Sequence, residues 1–441
     1  MKNAKIFAWS ITVALTGFLF GFDTVVISGA DLELQRLWPR GDWFHGFVVM
    51  SSALWGTVIG AMFGGIPTER LGRKKTLIWI GIFYSVSAIG AAAVSDPFLF
   101  ACFRFIGGLG VGTSTIAAPA YISEIAPAEN RGKLVGTYQF NIVFGILVAF
   151  LSNYLISEAI QVEAWRYMMG VEAIPAIIYT LMVFKIPESP RWLITAKNDT
   201  LKASKILAEI YPEEEVPKVI RLIQENNQEA TTGEGIFMEK YRFPLSLAFL
   251  IAFFNQFSGI NAFLYYAPRI FEGAGLGAQT ALLSSIGIGV VNLIFTLVGM
   301  SLIDKFGRRQ LMYAGSIGYI LSLGLVGYAF SSGIAGIAVP IFLFLFIASH
   351  AVGQGAVIWV FISEIFPNHL RSSGQSFGSS VHWILAAMIP ALVPVLFTKI
   401  GEGPVFYFFA FMMVLQLLFV YKIMPETKGV VLENMQDSLG K

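Results

Sequence analysis

The sequence predicts an all-α membrane protein with twelve transmembrane helices in two repeated halves. Of its 441 residues, 56% are hydrophobic and 13% charged, and the mean hydropathy is +0.69. A water-soluble chain of this size has no interior large enough for that much apolar surface. The apolar residues also fall into runs long enough to cross a bilayer, roughly 20 residues each. Finally, three short motifs recur in the same order at nearly one offset.

Taken in order, the apolar runs cover about 6–30, 44–66, 76–95, 97–121, 133–157 and 165–185 in the first half. In the second half they cover about 244–271, 279–303, 310–331, 335–362, 372–398 and 404–424. Only one interruption is long and charged, about 190–242. It contains "YPEEEVPKVIRLIQENNQEA" and reads as short amphipathic helices in water. The segment Met1–Lys5 is basic, but the run after it is too long for the core of a signal peptide and lacks a clear cleavage site.

Basic residues orient the spans. With both termini in the cytoplasm, 24 of the 30 Lys and Arg residues lie on the cytoplasmic side. Five lie outside or at outer helix ends, and Arg104 lies within a span. The sequon Asn198-Asp199-Thr200 then faces the cytosol, away from glycosylation. The net charge of +2 follows this topology and implies no nucleic-acid partner. The single cysteine, Cys102, excludes an internal disulfide and any multi-cysteine metal site. No P-loop motif for ATP is present, and the sequence implies no cofactor or metal.

The halves echo one another. "TERLGRKK" (Thr68–Lys75) matches "IDKFGRRQ" (Ile303–Gln310), with Arg73 and Arg308 offset by 235. "EIAPAENR" (Glu124–Arg131) matches "EIFPNHLR" (Glu364–Arg371) at 240, and "PESPR" (Pro187–Arg191) matches "PETKG" (Pro425–Gly429) at 238. This is a parallel repeat of six spans, a linker and six spans, the kind that binds its substrate near the midplane. The expected domains are 1–189 and 243–424, with a cytoplasmic helical linker at 190–242 and a tail at 425–441.

"PESPRWL" after span six, "PETKG" after span twelve, "RFIGGLGVG" in span four and "NQFSGINAFLYYAP" in span seven resemble the sugar porter family of the major facilitator superfamily. The resemblance covers the whole chain. It implies two six-helix bundles, monosaccharide transport by alternating access and a monomer in the plasma membrane, which for a bacterium is the inner membrane.

Asp23 interrupts the apolar stretch "GFLFGFDTVVISG". Asp23 and Arg104 each lie about seven residues below the outer ends of their spans, so both are roughly 10 Å deep. Equal depth permits a pair, and the family fold places spans one and four together. As a static pair the two residues would join helices. As a proton site, water entry or movement of Arg104 would switch the protonation of Asp23. The resemblance places Asp23 at the proton-coupling position of symporters.

Span seven carries Asn255, Gln256 and Asn261. Carboxamides match sugar hydroxyls as both donor and acceptor without bringing charge. Such amides also join packed helices. On an ideal helix Gln256 and Asn261 lie roughly 140° apart, so both reach one ligand only across a break, which Gly259 permits. The resemblance adds Phe20, Gln139, Asn292, Gly355, Trp359 and Trp383 as sugar contacts and Tyr265 and Tyr266 as an outer gate. Within these spans the chain departs from the family pattern in three places. Asn255-Gln256 replaces two glutamines, Gly355-Ala356 replaces a Gly-Pro bend, and His382 stands where an amide is usual. His350 earlier in span ten reads either as a second cavity histidine or as a packed one.

Arg73, Glu124, Arg131, Glu188 and Arg191 fall at inner helix ends, and Arg308, Glu364, Arg371 and Glu426 repeat them. They serve as anchors, or, by resemblance, as an inner latch between the bundles. Glu69 replaces the superfamily's usual aspartate, which Asp304 retains in the second half. The sequence thus implies a proton-coupled symporter for a hexose or pentose, with proton, sugar and lipid bilayer as partners. A facilitative uniporter of the same fold is the alternative. A transporter-like sensor fits less well, because about seventeen residues follow Met424. An enzyme finds no nucleophile or metal constellation.

Overall fold

A computed structural model describes residues 2–127, 130–229, 235–334, 336–367 and 370–429. Among them every regular element is helical. Eleven helices are long and apolar enough to cross a membrane. The bent pair Asp42–Met50 and Ser52–Phe63 makes up to twelve, with 44° between its parts. This agrees with the twelve apolar runs.

Local sequence sets where the spans start and break. Span four (Pro97–Ile125) starts where Asp96 accepts hydrogen bonds from the backbone N–H of Phe98 and Leu99, both 2.9 Å, with Pro97 at the first helical position. Span seven is two helices, Arg242–Phe257 and Ile260–Gly273, joined through Gly259 at φ +84°. This is the break that the angular argument required, and only glycine enters that backbone region without strain. Span six is also interrupted, between Ala164–Gly170 and Ala173–Val183, and Glu172 occupies the interruption. Span ten breaks between Ala338–Val352 and Gln354–Glu364 without a proline. There Gly353 lies against Gly315 of span nine (Arg308–Ser332), and no side chain would fit.

The linker forms the helices Pro190–Lys197, Thr200–Ile210 and Val216–Glu229. Ser189 and Asp199 cap the first two, and Leu193, Ile194, Ile206, Leu207 and Ile210 form their buried face. The expected tail lies outside the described residues from 430 onward.

The chain clusters into two compact units whose boundaries cross the repeat. One comprises 1–23, 55–145 and 169–233, and the other 24–54, 146–168 and 234–441. In the first unit, Tyr84, Tyr121 and Tyr179 anchor an apolar core that extends onto the linker helices. In the second, Phe263 of span seven packs on Phe346 of span ten and Phe406 of span twelve (Glu402–Lys422), with centroids 4.4 and 5.3 Å away.

Candidate functional site

In the first unit, Asp23 and Arg104 are buried and form an ion pair between the Asp23 carboxylate and the Arg104 guanidinium. Arg104 also donates to the Asp23 backbone carbonyl at 3.1 Å. One turn along span four, Gly107 allows the close approach of span three (Arg73–Ala93), because a Cβ there would lie 2.4 Å from Ser87 Oγ. Glu172 is buried beside the pair, with its carboxyl against that of Asp23, and interacts electrostatically with both members. The sequence reading missed Glu172. Its only signal was a lone acid inside the apolar context "MMGVEAIPAII".

In the second unit, the break at Gly259 turns the two parts of span seven so that their amides meet. Asn261 Nδ2 donates to Gln256 Oε1 at 2.8 Å, and Gln256 Nε2 donates to Asn255 Oδ1 at 2.9 Å. Gln256 Nε2 also lies 3.2 and 3.3 Å from the two ring nitrogens of His382, on span eleven (Arg371–Ile400). The His382 ring lies between two tryptophans, 5.1 Å from Trp359 and 5.0 Å from Trp383. A polar amide edge beside aromatic surface suits a ligand with hydroxyl edges and C–H faces.

The other expected contacts are distributed more widely. Asn292 is buried on span eight (Ala278–Phe306), where Thr296 donates to it at 3.4 Å. Gly355 lies against His350, which is held by the Tyr319 hydroxyl at 2.5 Å. Phe20 and Gln139 are half-buried in the first unit. Tyr265 and Tyr266 are buried, Tyr266 at a kink in span seven, with its hydroxyl bonded to the Pro390 carbonyl at 3.0 Å.

A further buried cluster was not anticipated. Arg269 grips Asp31 through Nε at 2.6 Å and an NH2 group at 3.0 Å, and the same NH2 group reaches Gln35 at 2.5 Å. His45 Nε2 lies 2.6 Å from the same carboxylate. Asp31 and His45 belong to the first repeat by sequence and Arg269 to the second. Burial pushes the Asp31 carboxyl up, but Arg269 and His45 together outweigh it and hold the group below its ordinary value.

The inner charges form two similar clusters, one in each unit. Arg73 binds Glu124 in a fork, at 3.0 and 2.8 Å, and Ser189 donates to Glu124 at 2.5 Å. Glu188 caps span three through the backbone N–H of Lys74 at 2.9 Å. Arg308 binds Glu364 at 3.0 and 2.7 Å, Thr427 donates to Glu364 at 2.6 Å, and Glu426 caps span nine through Arg308 and Arg309, both 2.9 Å. Asp304 adds a contact to Arg308 at 3.1 Å, whereas Glu69 offers its backbone carbonyl to Trp192. Arg131 and Arg191 are exposed and join neither cluster, and Arg371 is half-buried at the start of span eleven.

Comparison with known proteins identifies the family. Residues 9–439 match the family described as sugar (and other) transporter. The chain is 32% identical to the D-xylose-proton symporter of Escherichia coli K12, over 99% of this chain and 96% of that one. It is 35% identical to the glucose transporter GlcP of Staphylococcus epidermidis, over 97% and 95% of the two chains. A solved structure of the E. coli xylose transporter XylE, partially occluded and inward open, superposes with a TM-score of 0.87 at 31% identity, over 97% of this chain and all of that one.

Proposed function

The chain belongs to the sugar transporter family, and on that premise we infer that it is a proton-coupled monosaccharide symporter working by alternating access. The observation that carries the coupling is the buried Asp23–Arg104–Glu172 cluster. Two carboxylates and one guanidinium leave one net negative charge in a site without water's screening, and one proton neutralises it. Binding that proton makes the site inexpensive to carry through a conformational change, and releasing it demands solvent. At about 150 mV one inward proton releases roughly 3.5 kcal/mol, enough for a sugar gradient of a few hundredfold at about 1.4 kcal/mol per tenfold.

Sugar recognition falls to Asn255, Gln256, Asn261 and His382, with Trp359 and Trp383 beside them. Phe20, Gln139, Asn292 and Gly355 complete the expected site. Tyr265 and Tyr266 act as the outer gate, supported by the Asp31–Arg269 contact, which joins segments of both repeats. The Arg73–Glu124–Glu188 and Arg308–Glu364–Glu426 clusters hold the inner ends in the latch. The moving bodies are the bundles 1–189 and 243–424, in a monomer with both termini in the cytoplasm of a bacterial inner membrane. Its role is transport without chemical change to the sugar.

The test is uptake by proteoliposomes holding the purified chain. Labelled glucose, competed by a panel of hexoses and pentoses, should be concentrated under an inward proton gradient, and adding sugar should alkalinise the outside. Sugar that equilibrates without concentrating, with no proton movement, would identify a uniporter.

A further inference from the structure

The amide group on span seven does not end at Asn255. Asn255 Nδ2 donates to Gln354 Oε1, at 3.5 Å. Gln354 Nε2 donates to Gln416 Oε1 at 2.9 Å and to the Ile251 carbonyl at 3.5 Å. Gln416 Nε2 donates to Ser316 Oγ at 2.8 Å, and the Ser316 hydroxyl donates to the Met312 carbonyl at 2.7 Å. Gln354, Gln416 and Ser316 are fully buried, on spans ten, twelve and nine. With the bonds from Asn261 to Gln256 and from Gln256 to Asn255, every link donates in the same direction.

The direction has a physical origin. A backbone carbonyl only accepts. Ser316 donates its one hydroxyl hydrogen to the Met312 carbonyl, which leaves Ser316 Oγ to accept from Gln416. Gln416 must then turn its oxygen to Gln354. The Ile251 carbonyl, which can only accept, also faces the Gln354 amino group at 3.5 Å, so Gln354 shows its oxygen to Asn255. Asn255 in turn shows its oxygen to Gln256. Flipping any one carboxamide would set oxygen against oxygen in a buried place, where an unmatched polar group costs about 1–3 kcal/mol.

We infer that Gln354 and Gln416 are positioning residues that fix the donor and acceptor pattern shown to the sugar, although neither belongs to the amide group itself. Both Gln256 amino hydrogens are engaged, one by Asn255 and one by His382. Toward a ligand Gln256 therefore offers only an acceptor. The Gln256 amino group lies over the His382 ring, 3.2 and 3.3 Å from its two nitrogens. At least one sugar hydroxyl must then donate to Gln256, a selectivity set by backbone carbonyls on spans seven and nine. This rests on the sugar-transport reading above.

Deoxyfluoro sugars test it, because fluorine cannot donate. The full-length protein in detergent is titrated with the best sugar of the competition panel and with its deoxyfluoro analogue at each ring position. In the parent, at least one position should show a fluorine penalty of tenfold or more. Gln354→Met keeps the volume but severs the relay. It should weaken sugar affinity about tenfold and reduce that penalty to threefold or less. Gln354→Glu, which still presents an oxygen to Asn255, should restore both to within about threefold. Gln416→Met, two links from the nearest proposed contact, should shift both in the same direction by a smaller factor, and it serves if the first variant does not fold. A parent-like fluorine penalty in the folded Met variants overturns the relay while leaving sugar transport intact. Failure of the parent to bind any monosaccharide overturns both.

Discussion

Two buried polar clusters solve the same desolvation problem by different means. Around Asp23 the first unit uses full charges, with two carboxylates facing one guanidinium. Around Gln256 the second unit uses carboxamides and an imidazole. The two repeats carry charge clusters with the same bonding pattern at their inner ends, so the difference is not inherited from the repeat. On the proposed function it follows from the tasks. A proton needs a site whose charge changes on binding, and the opposed arginine limits the cost of holding that site in the membrane. A sugar needs several matched donors and acceptors, and charge would add desolvation cost without matching any hydroxyl better.

The sharpest way to break this division is to remove charge from the first cluster. Asp23→Asn should abolish concentrative uptake while sugar exchange across the membrane continues. Glu172→Gln leaves an already neutral Asp23–Arg104 pair, and it should reduce accumulation and flatten its pH dependence. Concentrative uptake equal to the parent in both variants would remove the proton role from this cluster.

The Asp31–His45–Arg269 cluster tests whether charge in the second unit is tolerated only when it is balanced. Asp31→Asn leaves Arg269 buried without its carboxylate, at a cost of about 3–5 kcal/mol to the state that buries it. In the parent, burial opposes ionisation of Asp31, but Arg269 and His45 hold the carboxyl below its ordinary value near 3.8. Its stabilisation is therefore complete above that value and is lost as the pH falls further, through the depressed one. Thermal unfolding from neutral pH into acid should show this loss in the parent and not in Asp31→Asn.

His382 probes the neutral cluster itself. His382→Ala should weaken sugar binding by roughly 1–3 kcal/mol, the cost of an unmatched buried hydroxyl. His382→Gln should retain transport and reorder the preferred sugars. Affinities for several sugars at two pH values decide this, and parent-like values in both variants would return His382 to a packing role.

The smallest effect concerns the two inner clusters. Asp304 is 84% exposed and lies one turn before Arg308, a contact that its counterpart Glu69 does not make. Asp304→Asn should cost only about 0.3–0.5 kcal/mol in unfolding. A larger loss would mean that the clusters differ in weight as well as in composition.

The sequence revealed what had a local or periodic signature. The spans were legible as apolar runs, the break at Gly259 from the angle between two amides, and the Asp23–Arg104 pair from equal depth together with the family fold. Glu172 was not legible, because one acid near the middle of a span gives no clue to what lies beside it. Gln354 and Gln416 are single amides in apolar stretches, and their partnership exists only once spans ten and twelve pack. Asp31 and Arg269 are 238 residues apart and share no motif. The bend in span ten occurs at Gly353, two residues before the expected Gly355-Ala356 step, because contact with Gly315, rather than a proline, sets its position.

The pairing of Asp23 with Arg104 also has a consequence for biogenesis. The two residues are 81 positions apart. At a synthesis rate of about 5–20 residues per second, roughly 4–16 seconds pass before the ribosome makes the partner of Asp23. Span one therefore enters the membrane with an unmatched acid, a penalty of about 2.5–3.5 kcal/mol at the centre of a span. Its leucines, isoleucines, valines and phenylalanines must offset that cost alone. Polar substitutions on the lipid-facing side of span one, far from proton and sugar alike, should therefore lower the amount of protein inserted without changing the activity of the molecules that do insert.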